Sequence, residues 1–199
     1  MPAVRIYARF LKRPLDIVVA AILLAVLSPL FLLAAIIVRL DSPGPVFFSQ
    51  RRLGRGGRVF TLHKFRTMTD EPRKVTGEIR DSGADVGVTR AGYWLRRFKI
   101  DELPQLWNVL VGDMSLVGPR PAMPQQLDEL DEVGRMRLLV RPGLTGLAQV
   151  NGNIFLTWPQ RWRFDRQYVE NVTFITDVGI MLRTALVILL GERRFAKED

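Results

Sequence analysis

The chain has no cysteine and a single histidine among its 199 residues. Without thiols there is no disulfide framework, no thiolate metal site and no cysteine nucleophile. The lone imidazole, His63, sits in the run V-F-T-L-H-K-F, and although count alone leaves a Ser-His-Asp arrangement open, nothing around it supports one. There is no internal repeat and no low-complexity segment. Acidic residues are scarce at the start: residues 1–66 hold eleven Lys and Arg against two Asp and Glu, while residues 67–199 hold eighteen of each. The formal charge of +9 therefore belongs to the first third, and it points to an anionic partner surface, either nucleic acid or phospholipid headgroups. The basic tract R-R-L-G-R-G-G-R at 51–58 lacks interleaved aromatics, so it offers no base-stacking platform, and nucleic acid is not expected as a partner.

A long uncharged run is present. Ile17 to Val38 gives 22 residues without a charge, enough for a straight helix to cross about 30 Å of hydrocarbon. It is too long for a cleaved signal and has no small-residue cleavage site. Ser28-Pro29 lies at its centre, where the proline denies an amide to the carbonyl of Ala25 and the serine hydroxyl is placed to satisfy it. Both flanks are basic, so the charge rule gives no orientation to a span, whereas a helix that dips in and returns satisfies it at both ends. A re-entrant helix and a kinked span both fit these residues. Residues 1–40 read as a basic N-terminus plus this membrane segment. Arg5, Arg9, Lys12 and Arg13 are suited to lie on headgroups. Residues 41–199 are long enough for a domain with its own core.

After the turn D-S-P-G-P, the runs V-F-F-S-Q and V-F-T-L-H-K-F flank the glycine-rich basic tract and predict a β-hairpin. Gly54, Gly56 and Gly57 match neither a P-loop nor a dinucleotide fingerprint, and read as turn glycines. Lys64 and Arg66 alternate at the end of the second strand, which puts both cations on one face, in position to grip a diphosphate. Residues 69–92 read as a polar loop, Gln125 to Leu139 as an amphipathic helix, and Arg141 to Gly152 as a glycine-punctuated loop and strand whose Arg141, Gln149 and Asn151 are placed to face a nucleotide. From Phe155 to Phe174, aromatics alternate with arginines as in helices lying at a headgroup boundary. Ile180 to Leu190 is apolar but too short to span. The fold class expected is α+β and helix-rich, with a small β-hairpin and interfacial amphipathic helices around a compact catalytic domain.

The chemistry concentrates between Lys99 and Pro121. Asp101 and Glu102 precede a short apolar helix, predicted to start at or next to Asp101 with Pro104 in its first turn and Leu103, Leu106, Trp107 and Leu110 as its buried stripe. Adjacent helical positions point about 100° apart, so one carboxylate can attack while the other holds a metal. Arg96, Arg97 and Lys99 before the pair and Arg120 after it favour ionised carboxylates. An Asp-Glu pair at a helix start is, by itself, common as a cap.

Taken together, F-L-K-R-P-L-D at 10–16, Ser28-Pro29, F-F-S-Q-R-R-L-G at 47–54, K-F-R-T-M at 64–68, D-E-L-P-Q-L-W-N-V-L-V-G-D-M-S-L-V-G-P-R-P at 101–121, R-P-G-L-T-G-L-A-Q-V-N-G at 141–152 and D-R-Q-Y-V-E-N at 165–171 resemble the small monotopic phosphoglycosyl transferases, a bacterial sugar transferase family. The resemblance covers nearly the whole chain. It implies a re-entrant helix bent at Ser28-Pro29, a location on the bacterial inner membrane with the active site on the cytoplasmic face, and Mg2+. It also implies two steps: Asp101 attacks the sugar-bearing phosphorus of a UDP-sugar and releases UMP, and a polyprenol phosphate such as undecaprenyl phosphate then displaces the carboxylate. Glu102 is then the expected metal ligand, and Lys64, Arg66, Arg96 and Arg120 offset the diphosphate charge. In one departure, Asn153 stands where family members commonly carry Arg after Asn-Gly, so that phosphate contact is lost unless Arg161 or Arg163 replaces it. The competing reading is a membrane-anchored basic module that binds anionic lipid or nucleic acid without catalysis.

Overall fold

The computed structural model describes residues 6–69 and 87–195. The apolar run forms two helices, α1 (Lys12–Val26), entered through a π-helical turn at Tyr7–Leu11, and α2 (Ser28–Asp41). The two arms are bent by 61° at Leu27. The proline supplies the cause: the Ser28 hydroxyl donates to the Ala25 carbonyl (2.8 Å), the oxygen that Pro29 leaves without an amide. Among the described residues no single helix is long and apolar enough to cross a membrane, but this bent pair passes by length and composition. Ile22, Val26, Leu32, Leu33 and Ile36 stand exposed along it.

Strands β1 (Phe47–Leu53) and β2 (Val59–Phe65) form the expected antiparallel hairpin, with Phe47 opposite Phe65 and Leu53 opposite Val59. Helix α3 (Arg90–Arg97) follows, then a 3-10 turn at Ile100–Glu102 and helix α4 (Gln105–Val111). A parallel pair, β3 (Ser115–Val117) with β4 (Gly143–Thr145), brackets the short helix α5 (Glu132–Arg135). Two longer helices close the chain, α6 (Trp158–Glu170) and α7 (Phe174–Leu190). The architecture is α+β and helix-rich. Its main core joins Leu62, Leu106, Val109, Met114, Val117, Val150 and Tyr168 to Tyr7 and Ala20 of the N-terminal arm. A second cluster, Ala34, Val38, Phe65 and Leu95, ties α2 to β2 and α3.

Several local expectations change. The predicted helix start at Asp101 is instead a 3-10 turn, with Pro104 as N-cap of a helix that begins at Gln105. Pro104 has no amide to continue the turn's ladder, so the hydrogen bonds restart beyond it, from Leu106 to the Leu103 carbonyl and from Trp107 to that of Pro104. The buried face of α4 is Gln105, Leu106, Asn108 and Val109, while Trp107 is 56% exposed. Asn108 fixes that rotation: its amide donates to the Thr61 carbonyl (2.7 Å) and its oxygen accepts the His63 amide (3.2 Å). The amphipathic helix expected over Gln125–Leu139 is broken into 3-10 turns at Pro124–Leu127 and Met136–Leu139 around α5, whose cap Asp131 accepts the Gly134 amide (2.7 Å). Most of the polar loop expected over 69–92, residues 70–86, lies outside the described residues, as do residues 1–5.

The basic start does not lie wholly outward. Lys12 donates to Asp177 on α7 (2.5 Å), and Arg13 donates to the Val109 and Leu110 carbonyls (2.5 and 2.8 Å). The last carbonyls of α4 have no helical partner, which is why a guanidinium is drawn inward there.

Candidate active site

The site begins with a backbone irregularity. Lys99 adopts a left-handed conformation (φ 57°) at the end of α3 and reverses the chain into the turn that carries Asp101 and Glu102. A non-glycine residue there costs roughly 1 kcal/mol or more. Both carboxylates are buried, each 7% exposed, on a scaffold made rigid by α3 and α4.

The two acids differ in their partners. Glu102 Oε1 accepts from Lys64 Nζ and from Arg120 Nη2, both at 2.7 Å. Burial pushes this carboxyl up, but Arg120 and Lys64 outweigh burial and hold it well below the usual glutamate range. Asp101 has a buried Oδ1 with no hydrogen-bond partner. Burial, reinforced by the Glu102 charge, raises its affinity for a proton, and Lys64, Lys99 and Arg96 offset that only in part. The surrounding cations were expected to favour ionisation at both acids. They achieve it at Glu102, whereas at Asp101 desolvation wins.

The cations are placed by several elements. Lys64, near the end of β2, and Arg66, just past it, line one cavity of ≈ 950 Å³, together with Gln50, Arg52, Thr67 and Arg96. Arg66 also donates to the carbonyls of Pro43 and Ser42 (2.8 Å for the latter), which pins the turn after α2. Arg96 donates through Nε to the Thr67 hydroxyl (2.9 Å). Gly92 permits that approach, since a Cβ there would lie 2.1 Å from the Thr67 carbonyl oxygen. The Arg120 carbonyl accepts from Arg137 (2.8 Å), and Arg137 lies 3.1 Å from Asp165 on α6. The D-R-Q-Y segment thus positions Arg137, which holds the main chain of the residue gripping Glu102.

A second, mainly apolar cavity of ≈ 240 Å³ reaches Glu102 from another side. Leu23 of α1, Leu103, and Met181, Val187 and Ile188 of α7 supply much of its wall. Gln149 and Asn153 line this cavity, and Gln149 Oε1 is buried without a hydrogen-bond partner. Arg161 and Arg163 line neither cavity. Arg161 packs over Trp158 (4.7 Å) and donates to the Leu156 carbonyl (3.1 Å). Arg141 does not join the acids: it lines a separate cavity at the far end of α4. Sequence reasoning missed Asn108 and Arg137, whose partners lie far away in the chain, and it gave no signal for the Lys99 backbone.

A profile of the bacterial sugar transferase family matches residues 7–191. The chain belongs to the bacterial sugar transferase family. It is 43% identical over 182 residues to the uncharacterised sugar transferase EpsL of Bacillus subtilis, covering 92% of this chain and 89% of EpsL. It is 41% identical to the UDP-glucose:undecaprenyl-phosphate glucose-1-phosphate transferase of Caulobacter vibrioides, covering 98% and 75%. Identity is again 41% to the UDP-N-acetylgalactosamine-undecaprenyl-phosphate N-acetylgalactosaminephosphotransferase of Aeromonas hydrophila, but there the chain spans 94% of itself and 45% of the relative. Membership makes this sugar transferase an enzyme, which decides against the non-catalytic binding module.

The acids can be tested against magnesium from their own chemistry. Among the described residues no group of three or more Asp, Glu, His or Cys stands together, so there is no all-protein cage. Magnesium is usually carried by one or two carboxylates plus substrate phosphate oxygens. The unpartnered Asp101 Oδ1 beside Glu102 fits that habit.

Proposed function

We propose that this sugar transferase moves a sugar 1-phosphate from a UDP-sugar to a membrane polyprenol phosphate, undecaprenyl phosphate in the cell, through a covalent intermediate on Asp101. The observation that carries this reading is the asymmetry of the dyad: a buried carboxylate oxygen without a partner beside a carboxylate neutralised by two cations. The Caulobacter and Aeromonas relatives are named for transfer of sugar phosphates to undecaprenyl phosphate. Asp101 Oδ1 forms a bond to the sugar-bearing phosphorus as the bond to the UMP oxygen breaks. A phosphate oxygen of the polyprenol then attacks the same phosphorus and the Asp101 carboxylate leaves. Lys64, Arg66 and Arg96, which line the larger cavity, would face the diphosphate, and Arg120 would keep Glu102 ionised. Asp101 and Glu102 would hold magnesium, which when bound offsets phosphate charge.

The acceptor would arrive on the apolar side. The smaller cavity lies between α1 and α7 and reaches Glu102. Leu182, Leu186 and Leu189 leave the outer face of α7 apolar and exposed. In this reading the bent α1–α2 pair enters the inner membrane and returns to the cytoplasmic face, and the isoprenoid end of the acceptor follows the apolar wall to the dyad.

Purified protein incubated with a panel of UDP-sugars, magnesium and undecaprenyl phosphate should release UMP with at least one donor and stop when the metal is chelated. No UMP from any donor would remove the proposed reaction. The pH profile is a second expectation. The acid limb of kcat/KM reports the free enzyme, and the nucleophile must be ionised. Because the Asp101 pKa is raised, its carboxylate fraction grows as pH rises through that shifted value, so the acid limb should fall above the ordinary aspartate range. Glu102, held low, contributes no limb there. A profile flat down to about pH 4 would contradict Asp101 as nucleophile.

A further inference from the structure

The arginines of the hairpin tip take no part in this transfer chemistry. Arg55 and Arg58, from the turn joining β1 to β2, and Arg141, from the loop before β4, line one cavity of ≈ 400 Å³. Gly112 and Asp113, just past α4, form its other side. Arg141 is fixed by its Nε bond to the Gly112 carbonyl (2.9 Å), and Arg13 stands behind the same glycine, held by the Val109 and Leu110 carbonyls. Among the described residues, Arg55, Arg58 and Arg141 form no ion pair with a carboxylate, although Asp113 lines the cavity. Gly56 and Gly57 adopt φ of 69° and 76°, and a Cβ at either would meet nothing within 4 Å. The tip therefore offers arginines and bare main chain. With three arginines against Asp113, the lining keeps an excess of two positive charges.

This cavity is remote from the dyad. Lys64 lies six positions along the chain from Arg58, which is about 20 Å of strand, and α4 separates Gly112 from Glu102. One phosphate group cannot reach both. The cavity also lies towards the polar start of α1: Arg13 stands behind Gly112 at its edge, whereas Leu23, about 15 Å further along the helix, borders the cavity at Glu102.

We propose that the hairpin-tip cavity is a second binding site, for an anionic phosphoryl group presented either by a soluble phosphate ester or diphosphate or by an anionic phospholipid headgroup. Planar guanidinium forks suit phosphate oxygens, and here one of the three, Arg141, is already oriented by a main-chain carbonyl. The assignment goes beyond the transfer reaction and holds whether or not Asp101 is its nucleophile.

The test uses the full chain in detergent micelles, without magnesium or donor. Pyrophosphate is titrated calorimetrically into wild type, Arg55→Gln/Arg58→Gln and Lys64→Gln, and capture on phosphatidylglycerol and phosphatidylcholine vesicles is measured for the same proteins. Two lost charge-assisted contacts should weaken the hairpin-tip component of pyrophosphate binding at least about tenfold in the double variant, a component that Lys64→Gln, which alters only the cavity beside the dyad, leaves in place. Unchanged vesicle capture alongside that loss identifies a soluble ligand. Reduced capture on phosphatidylglycerol alone, reversed by pyrophosphate in wild type, identifies a headgroup. Pyrophosphate binding that survives the double substitution but disappears in Lys64→Gln overturns the site. So does absence of binding up to about 10 mM with capture unchanged. Neither arm reads turnover, so failure here leaves the UMP assay untouched, and failure of that assay leaves this site standing.

Discussion

Asp101→Asn should abolish transfer, with turnover falling by roughly 10⁴-fold or more, because removal of a covalent nucleophile is not compensated by the rest of the site. The substitution is nearly isosteric and replaces a buried oxygen that has no hydrogen-bond donor. Folding should therefore survive, and the loss can be read as chemistry. A UDP-sugar labelled in the sugar should leave its label on wild-type protein when no polyprenol phosphate is present, and none on Asp101→Asn. Glu102→Gln should behave differently. It leaves Lys64 and Arg120 facing a neutral amide, and Lys64 is largely buried, so the cost falls on charge balance and metal affinity rather than on bond formation. Label should form slowly in that variant. If the wild type never carries label yet turns over with both substrates, the reaction is a direct displacement and Asp101 is a ligand or base instead.

The parts of this site legible in the sequence are those written within a few residues of each other. Alternation of Phe60, Leu62 and Lys64 with their neighbours defined β2, and Lys64 and Arg66 line one cavity, though Arg66 lies just past the strand and Phe65 between them lines that cavity too. Asp101 and Glu102 lay side by side, and the cations flanking them were visible. A period, however, says only that a face exists, not which residues a neighbouring element covers. For α4 the apolar spacing allowed Trp107 inside, but Asn108 bonds to β2 through residues 45 and 47 positions away and turns Trp107 out. The sign of the Asp101 shift was illegible for the same reason: counting cations in sequence omits burial, which here outweighs them. Arg66 and Arg141 looked like free phosphate-binding cations because the carbonyls they hold belong to distant turns.

The basic N-terminus shows the same limit most clearly, and it carries the largest expected effect on stability. Asp177→Ala should cost about 3–5 kcal/mol, the range for breaking a buried ion pair from one side. Asp177 Oδ2 accepts from the Tyr7 hydroxyl (2.7 Å) and from Lys12 (2.5 Å), and Oδ1 accepts from the Tyr168 hydroxyl (2.9 Å). Tyr168 has a second acceptor in the Val117 carbonyl (2.9 Å), so its single proton can turn there. Tyr7 and Lys12 have no such recourse among the bonds described, and the Lys12 side chain is only 13% exposed. The orphaned groups both belong to the N-terminal arm, so the loss should loosen α1 from α7 rather than melt the domain uniformly. Hydrogen exchange at residues 7–16 should rise more than exchange at α4. Asp177→Asn should be milder, since the amide oxygen still accepts a hydrogen bond. Lys12→Met combined with Asp177→Leu should recover part of the loss, because it removes the unpaired charge along with its partner. If Asp177→Ala unfolds within about 1 kcal/mol of wild type and exchange in the arm is unchanged, the carboxylate is not what holds the bent N-terminal helix pair to α7.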